Sequence, residues 1–113
     1  LSLLLAAPSL PPVVVLHSFG GSPEVALSFS RLPTRVYFGF CPRAAGRKHA
    51  RQVIAAARED RILIESDAHD AAQATRDVHA ACAAVAAARG WDEEHTARVT
   101  ASNALQAFDP SLW

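Results

Sequence analysis

The chain alternates short unbroken apolar runs with segments of helical period. Val13-Val14-Val15-Leu16 is one such run and Ile62-Leu63-Ile64 another. Runs that are apolar at every position suit strands buried on both faces, the pattern of parallel sheets. Arg35-Val36-Tyr37-Phe38-Gly39-Phe40 predicts a third strand, rich in aromatics and closed by Cys41-Pro42. Between the strands the period changes. Ser22 suits an N-cap, Pro23 a first helical position and Glu24 the positive helix end. A short helix therefore runs to about Arg31, and Leu32-Pro33 ends it. From Gly46 to Arg58, the residues Ala50, Val53, Ile54 and Ala57 fall on one helical face. Ala71 to Arg89 predicts an alanine-rich helix with Val78, Cys82 and Val85 at helical spacing, stopped by Gly90. Asp92 caps a last helix that carries Val99, Asn103 and Phe108 and reaches about Ala107 before Asp109-Pro110.

The order strand-helix-strand-helix-strand-helix-helix argues an α/β fold with a parallel sheet and right-handed crossovers. A closed (β/α)8 barrel takes about 250 residues, and this chain has 113. The count fits the C-terminal three βα units of a TIM barrel, incomplete as given. Methionine is absent, including at position 1, which adds to the expectation of a fragment. Leu1 to Ala7 is apolar, but it has no basic segment before it and is too short to span a bilayer. It reads as the end of a truncated helix, followed by a linker to residue 12. The whole is one partial domain over residues 1–113.

Composition narrows the picture slightly. Eleven basic and 11 acidic side chains balance, so no global field calls for nucleic acid or an anionic membrane. Cys41 and Cys82 are too few for a disulfide framework and read as reduced thiols, which favours an intracellular chain.

Candidate chemistry sits at strand ends. The stretch Asp60-Arg61-Ile62-Leu63-Ile64-Glu65-Ser66-Asp67-Ala68-His69-Asp70 is a buried strand whose carboxyl end turns acidic. Parallel α/β folds place catalytic groups at that end, above the packed core. Period two sets Glu65 and Asp67 on one side, with Glu65 one layer deeper. His17 likewise follows the first strand. Imidazole and carboxylate together suit zinc, manganese or iron. The competing reading makes the acidic cluster an N-cap for the next helix.

The stretch His17-Ser18-Phe19-Gly20-Gly21-Ser22 resembles the HxFxGS element of the TatD-type metal-dependent deoxyribonucleases. Val36 to Phe40 resembles their next strand, and Asp60 to Asp67 their DRLLxETD strand. Arg89-Gly90-Trp91, Glu93-Glu94, Val99-Thr100, Asn103-Ala104 and Phe108 resemble their closing helix. Four motifs in order cover 13–108, nearly the whole chain.

The resemblance implies a TIM-barrel hydrolase that cuts phosphodiesters with two divalent ions, drawn from magnesium, manganese or zinc. It implies His17, at the end of the family's sixth strand, and Asp67, after its eighth, as metal ligands. Asp67 is also the implied activator of the attacking water. The family's first-strand HxH pair, its fourth-strand glutamate and its fifth-strand histidine have no counterpart in this chain. Two ligands fall short of the three-ligand-plus-water site that catalysis usually needs, so the chain is expected to be inactive by itself. Glu65-Ser66-Asp67-Ala68-His69 resembles a branch that includes interaction partners of other proteins. A catalytically silent binding protein is therefore the alternative.

Smaller expectations follow. Glu65 is either a hydrogen-bond acceptor behind the ligands or half of a buried ion pair. His69 contacts substrate or metal, or else caps the next helix. Arg43, Arg47, Lys48 and Arg51 either meet phosphates of a DNA-like substrate or form a solvated face. Cys41 either lines the pocket or packs as a small buried hydrophobe. Two open sheet edges and a bare inward face predict self-association.

Overall fold

The computed structural model describes residues 1–112. Three parallel strands form one sheet: β1 (Val13–Leu16), β2 (Arg35–Phe40) and β3 (Ile62–Ile64). They lie side by side in chain order. Val13 pairs with Arg35 and Leu16 with Phe38, while Phe38 pairs with Ile62 and Phe40 with Ile64. The protein is thus a mixed α/β fold with a small, open, parallel sheet.

Six helices surround it: α1 (Ser2–Ala6), α2 (Pro23–Ser30), α3 (Pro42–Ala45), α4 (Ala50–Ala56), α5 (Ala71–Arg89) and α6 (Glu93–Ala107). Their ends follow local chemistry. Ser22, Asp70 and Asp92 cap α2, α5 and α6 by accepting from Val25, Gln73 and His95 backbone N–H groups. Gly90 ends α5 in the left-handed region at φ 70°, where a Cβ is costly. The helix expected over 46–58 is shorter, Ala50–Ala56, and an unexpected one-turn helix precedes it. Pro42 opens α3 with Cys41 as its cap, Gly46 closes it, and α4 starts only at Ala50. The expected apolar face survives, because Ala50, Val53 and Ile54 are all buried.

Each face of the sheet has its own core. Val36, Phe38, Phe40 and Ile62 pack with Ala26 of α2, Val53 and Ile54 of α4 and Val85 of α5. On the other face Val13, Tyr37 and Leu63 pack with Ala107, Ala104 and Leu112. The expectation of a bare inward face is therefore overturned at its centre. The C-terminal turns of α6 and the 3-10 turn Pro110–Leu112 fold across it, leaving Tyr37 at 0% exposure. Apolar area that would otherwise face water draws the end of the chain onto it.

Two expected helix faces shift. Cys82 and Val85 of α5 are buried, but Val78 is exposed. In α6 the buried positions are Thr96, Thr100, Asn103 and Ala107, while Phe108 is 63% exposed. The threonine hydroxyls bring their own acceptors. Thr96 donates to Asp92 O at 2.8 Å and Thr100 to Thr96 O at 2.9 Å. Asn103 Nδ2 donates to Glu59 O at 2.7 Å and Ile62 O at 2.9 Å, tying α6 to the entry of β3.

Arg89, at the end of α5, reaches the end of α4. Its Nη1 donates to the carbonyls of Ile54, Ala55 and Ala57 at 3.3, 2.9 and 2.8 Å. These are carbonyls that a helix end cannot satisfy internally.

Asn103→Ala should lower stability by about 1–3 kcal/mol, since two carbonyls lose their partner. Phe108→Ala, at an exposed site, should change it by less than about 0.5 kcal/mol. Urea unfolding of both variants checks the ranking; a larger effect at Phe108 would contradict this packing.

Candidate metal and phosphodiester site

Three loops meet at the carboxyl end of the sheet. β1 delivers His17 and Ser18, β2 delivers Gly39 and Cys41, and β3 delivers Glu65 and Asp67. Because the strands are parallel and adjacent, their following residues share one face.

His17 lies between the two carboxylates. Its Nδ1 is 2.8 Å from Glu65 Oε2, and its Nε2 is 3.0 Å from Asp67 Oδ1. Glu65 is the deeper partner, with its side chain 15% exposed against 52% for Asp67 and 62% for His17. The layering expected from period two is what the geometry has.

Glu65 has room because position 39 is glycine. A Cβ there would collide with the Glu65 carboxylate. The isolated glycine in an aromatic strand marks this close approach, a signal present in the sequence. Glu65 Oε2 also accepts from the Ser18 backbone N–H at 2.9 Å. Ser18 has φ 49°, in the left-handed region that serine rarely adopts. The Glu65 carboxylate compensates that conformation, which directs the Ser18 N–H inward.

Asp67 is held from other sides as well. Ser18 Oγ donates to Oδ2 at 3.5 Å and lies 3.4 Å from the Cys41 sulfur, which sets the thiol beside the carboxylate. Cys41 is buried and its sulfur accepts from Ala44 N at 3.4 Å, so it both packs and borders the site. Asp70 caps α5, and His69 is exposed without taking that role. Arg47 Nη1 donates to Ser18 O at 3.1 Å, which brings one of the four basic residues of this region to the loop. Ser18 is the residue that sequence reasoning passed over; nothing in its type signals the backbone conformation it takes.

The electrostatics favour a charged triad. Hydrogen bonding and charge from Glu65, then Asp67, raise the His17 imidazole above its ordinary 6.5. The Cys41 thiol, then His17 and Ser18, lower the Asp67 carboxyl below its ordinary value. The His17 contribution is complete below about pH 6.5 and is lost as pH rises through the raised value. The Asp67 contribution is complete above about pH 3.9 and is lost as pH falls through the lowered value.

Imidazole and carboxylate are donor types that divalent zinc, manganese or iron accepts. Nε2 and Oδ1 share a direct hydrogen bond at 3.0 Å, so an ion taken by both would replace that bond and require Nε2 to be deprotonated. Glu65 takes the other ring nitrogen, the carboxylate–histidine arrangement that fixes the tautomer of a metal-bound imidazole. Among the described residues no third His, Cys, Asp or Glu side chain completes a cage around the pair.

A family model described as TatD related DNase matches residues 2–109. The chain belongs to this TatD-related DNase family. The match takes in α1 as well as the three βα units. Cut9-interacting protein scn1 of Schizosaccharomyces pombe is 33% identical over 96 residues, covering 82% of this chain. The chain spans 29% of the length of that relative. Among the described residues no helix of this TatD-family chain is long and apolar enough to cross a membrane.

Proton NMR should place the His17 pKa above 6.5, and Glu65→Gln should return it toward that value. A wild-type value at or below 6.5 would contradict the triad. Gly39→Val should also lower it, by expelling Glu65, and should destabilise the fold.

Proposed function

We propose that this chain supplies part of a divalent-metal phosphodiesterase centre, with His17 Nε2 and Asp67 Oδ1 as metal donors. The observation that carries the reading is that His17 and Asp67 meet at the carboxyl end of the sheet with Glu65 on the opposite nitrogen of the imidazole; a metal would replace the hydrogen bond between Nε2 and Oδ1. The family match supports DNA or a related phosphodiester as the substrate class. The three strands keep the parallel, sequential order of adjacent (β/α)8 barrel staves, and in a closed barrel α6 would have to leave the face it covers in this chain.

A bound divalent ion, of magnesium, manganese or zinc type, supplies positive charge against the phosphate and lowers the pKa of a bound water. The chain's own residues do the rest. Glu65 accepts the Nδ1 proton and keeps Nε2 directed outward. Asp67 Oδ2, which accepts only a long bond from Ser18, is free to orient a water and take its proton. Cys41 and Ser18 keep the carboxylate ionised. His69, exposed at the rim, is left for contacts with substrate.

Two protein donors bind an ion weakly and leave most of its sphere open, so the 113-residue chain is inactive by itself. A second reading rests on the name of the yeast relative, an interacting protein. In that reading the His17–Glu65–Asp67 triad is a structural ion-pair network beneath a protein-binding surface.

Zinc titration followed through the His17 ring resonances separates the two. The expected result is a saturable shift that Asp67→Ala abolishes and His69→Ala leaves intact. Absence of any zinc-dependent shift would overturn the metal reading. Incubated with single-stranded DNA and manganese, the chain should show no turnover; turnover that Asp67→Ala removes would refute the claim of inactivity.

A further inference from the structure

The α3–α4 connection is the most basic segment of the chain. Between Cys41 and Arg58 there are five Arg or Lys residues and no Asp or Glu. Most of them lie along exposed surface, where a solvated face explains them. Arg47 differs, because its guanidinium is fixed against the loop that follows β1.

Three observations define its place. Nη1 donates to Ser18 O at 3.1 Å, one residue from His17. The arginine side chain lies across Gly20, where a Cβ would collide with the guanidinium. Among the described residues no carboxylate pairs with Arg47, although Glu65 and Asp67 contact the other side of the same loop. Ser18 joins the two sides. Its N–H faces Glu65 and its carbonyl faces Arg47, as its left-handed φ allows.

A guanidinium has five N–H donors in a fixed plane. One is used on Ser18 O. The rest stay with an unpaired charge on the exposed side of the loop that carries His17. Planar, always-charged donors held in this way suit a phosphate oxyanion better than a mobile lysine does.

We infer that Arg47 grips a backbone phosphate of a nucleic-acid strand, next to the position a metal at His17 and Asp67 would give to the reacting phosphate. The inference rests on the phosphodiesterase reading for its substrate class, but its binding test does not require metal. The role is positioning: Arg47 fixes the register of the strand, and Asp67 is left for the chemistry.

The test is fluorescence anisotropy with a labelled single-stranded oligodeoxynucleotide, using the full chain in EDTA over a series of salt concentrations. Arg47→Ala should weaken binding about tenfold, the loss of a hydrogen bond to a charged partner. It should also flatten the slope of log affinity against log salt by about 0.7, one phosphate contact. Arg47→Gln keeps a donor for Ser18 O without the charge, and should weaken binding alike while leaving the His17 ring resonances in place. Arg51→Ala, on the exposed side of α4, should bind as the parent does. Equal losses in Arg51→Ala, or none in both Arg47 variants, would overturn the inference. Displacement of the strand by the same concentration of inorganic phosphate would overturn it in favour of a small-anion site. Failure of the metal reading would instead show in the zinc titration, with these affinities unaltered.

Discussion

A side chain at position 39 and a carboxylate at position 65 cannot share the same space. The functional end of the sheet follows from that exclusion. With glycine in β2, Glu65 lies back over the strand and beneath His17. There it accepts from the imidazole and from the Ser18 backbone, so one carboxylate orients a side chain and stabilises a left-handed residue. The Ser18 carbonyl then faces outward and receives Arg47. A vacancy in the middle strand thus sets a histidine, a turn and a guanidinium in sequence. Each link is a short contact between groups from different loops, which a flat alignment of residues does not display.

The sheet below is unusual in having two separate cores on so few strands. From Val36 to Phe40 every residue of β2 is buried, which requires cover on both faces. Helices α2, α4 and α5 cover one. The end of α6 covers the other with small residues, Ala104 and Ala107, plus Leu112. Small side chains let a helix approach the sheet closely, and Asn103 fills the hydrogen-bonding need of the strand entry at Ile62. That amide also occupies a carbonyl of an edge strand, a position that otherwise invites pairing with another chain.

The strands were legible because apolar residues at every position leave no helix of useful length to compete. His17, Glu65 and Asp67 were legible because parallel strands collect their carboxyl ends on one face, and the order of depth followed from period two. The α6 face was misread for a physical reason. Asn103 is buried as its place beside Val99 suggested, but the other buried positions include Thr96 and Thr100, polar by type and satisfied by i−4 carbonyls. Hydropathy therefore pointed to Val99 and Phe108 instead. The one-turn helix α3 was missed because Cys41 and Pro42 read as the close of β2, and the apolar spacing that marks the next helix begins only at Ala50. The role of Arg47 was open in sequence because four basic residues of the same region look alike until one is tied to Ser18.

Arg89 carries a consequence for motion. Its guanidinium closes the last carbonyls of α4 from the end of α5 and lies 4.7 Å from the centre of the Trp91 ring. Neither helix end can fray without releasing the other, because the same side chain serves both. Helices linked in this way open as one cooperative unit rather than turn by turn. The N-terminal half of α5 reaches the site loop, where Asp77 accepts from Ser66 Oγ at 3.2 Å, so one helix ties the far end of α4 to the residue between Glu65 and Asp67.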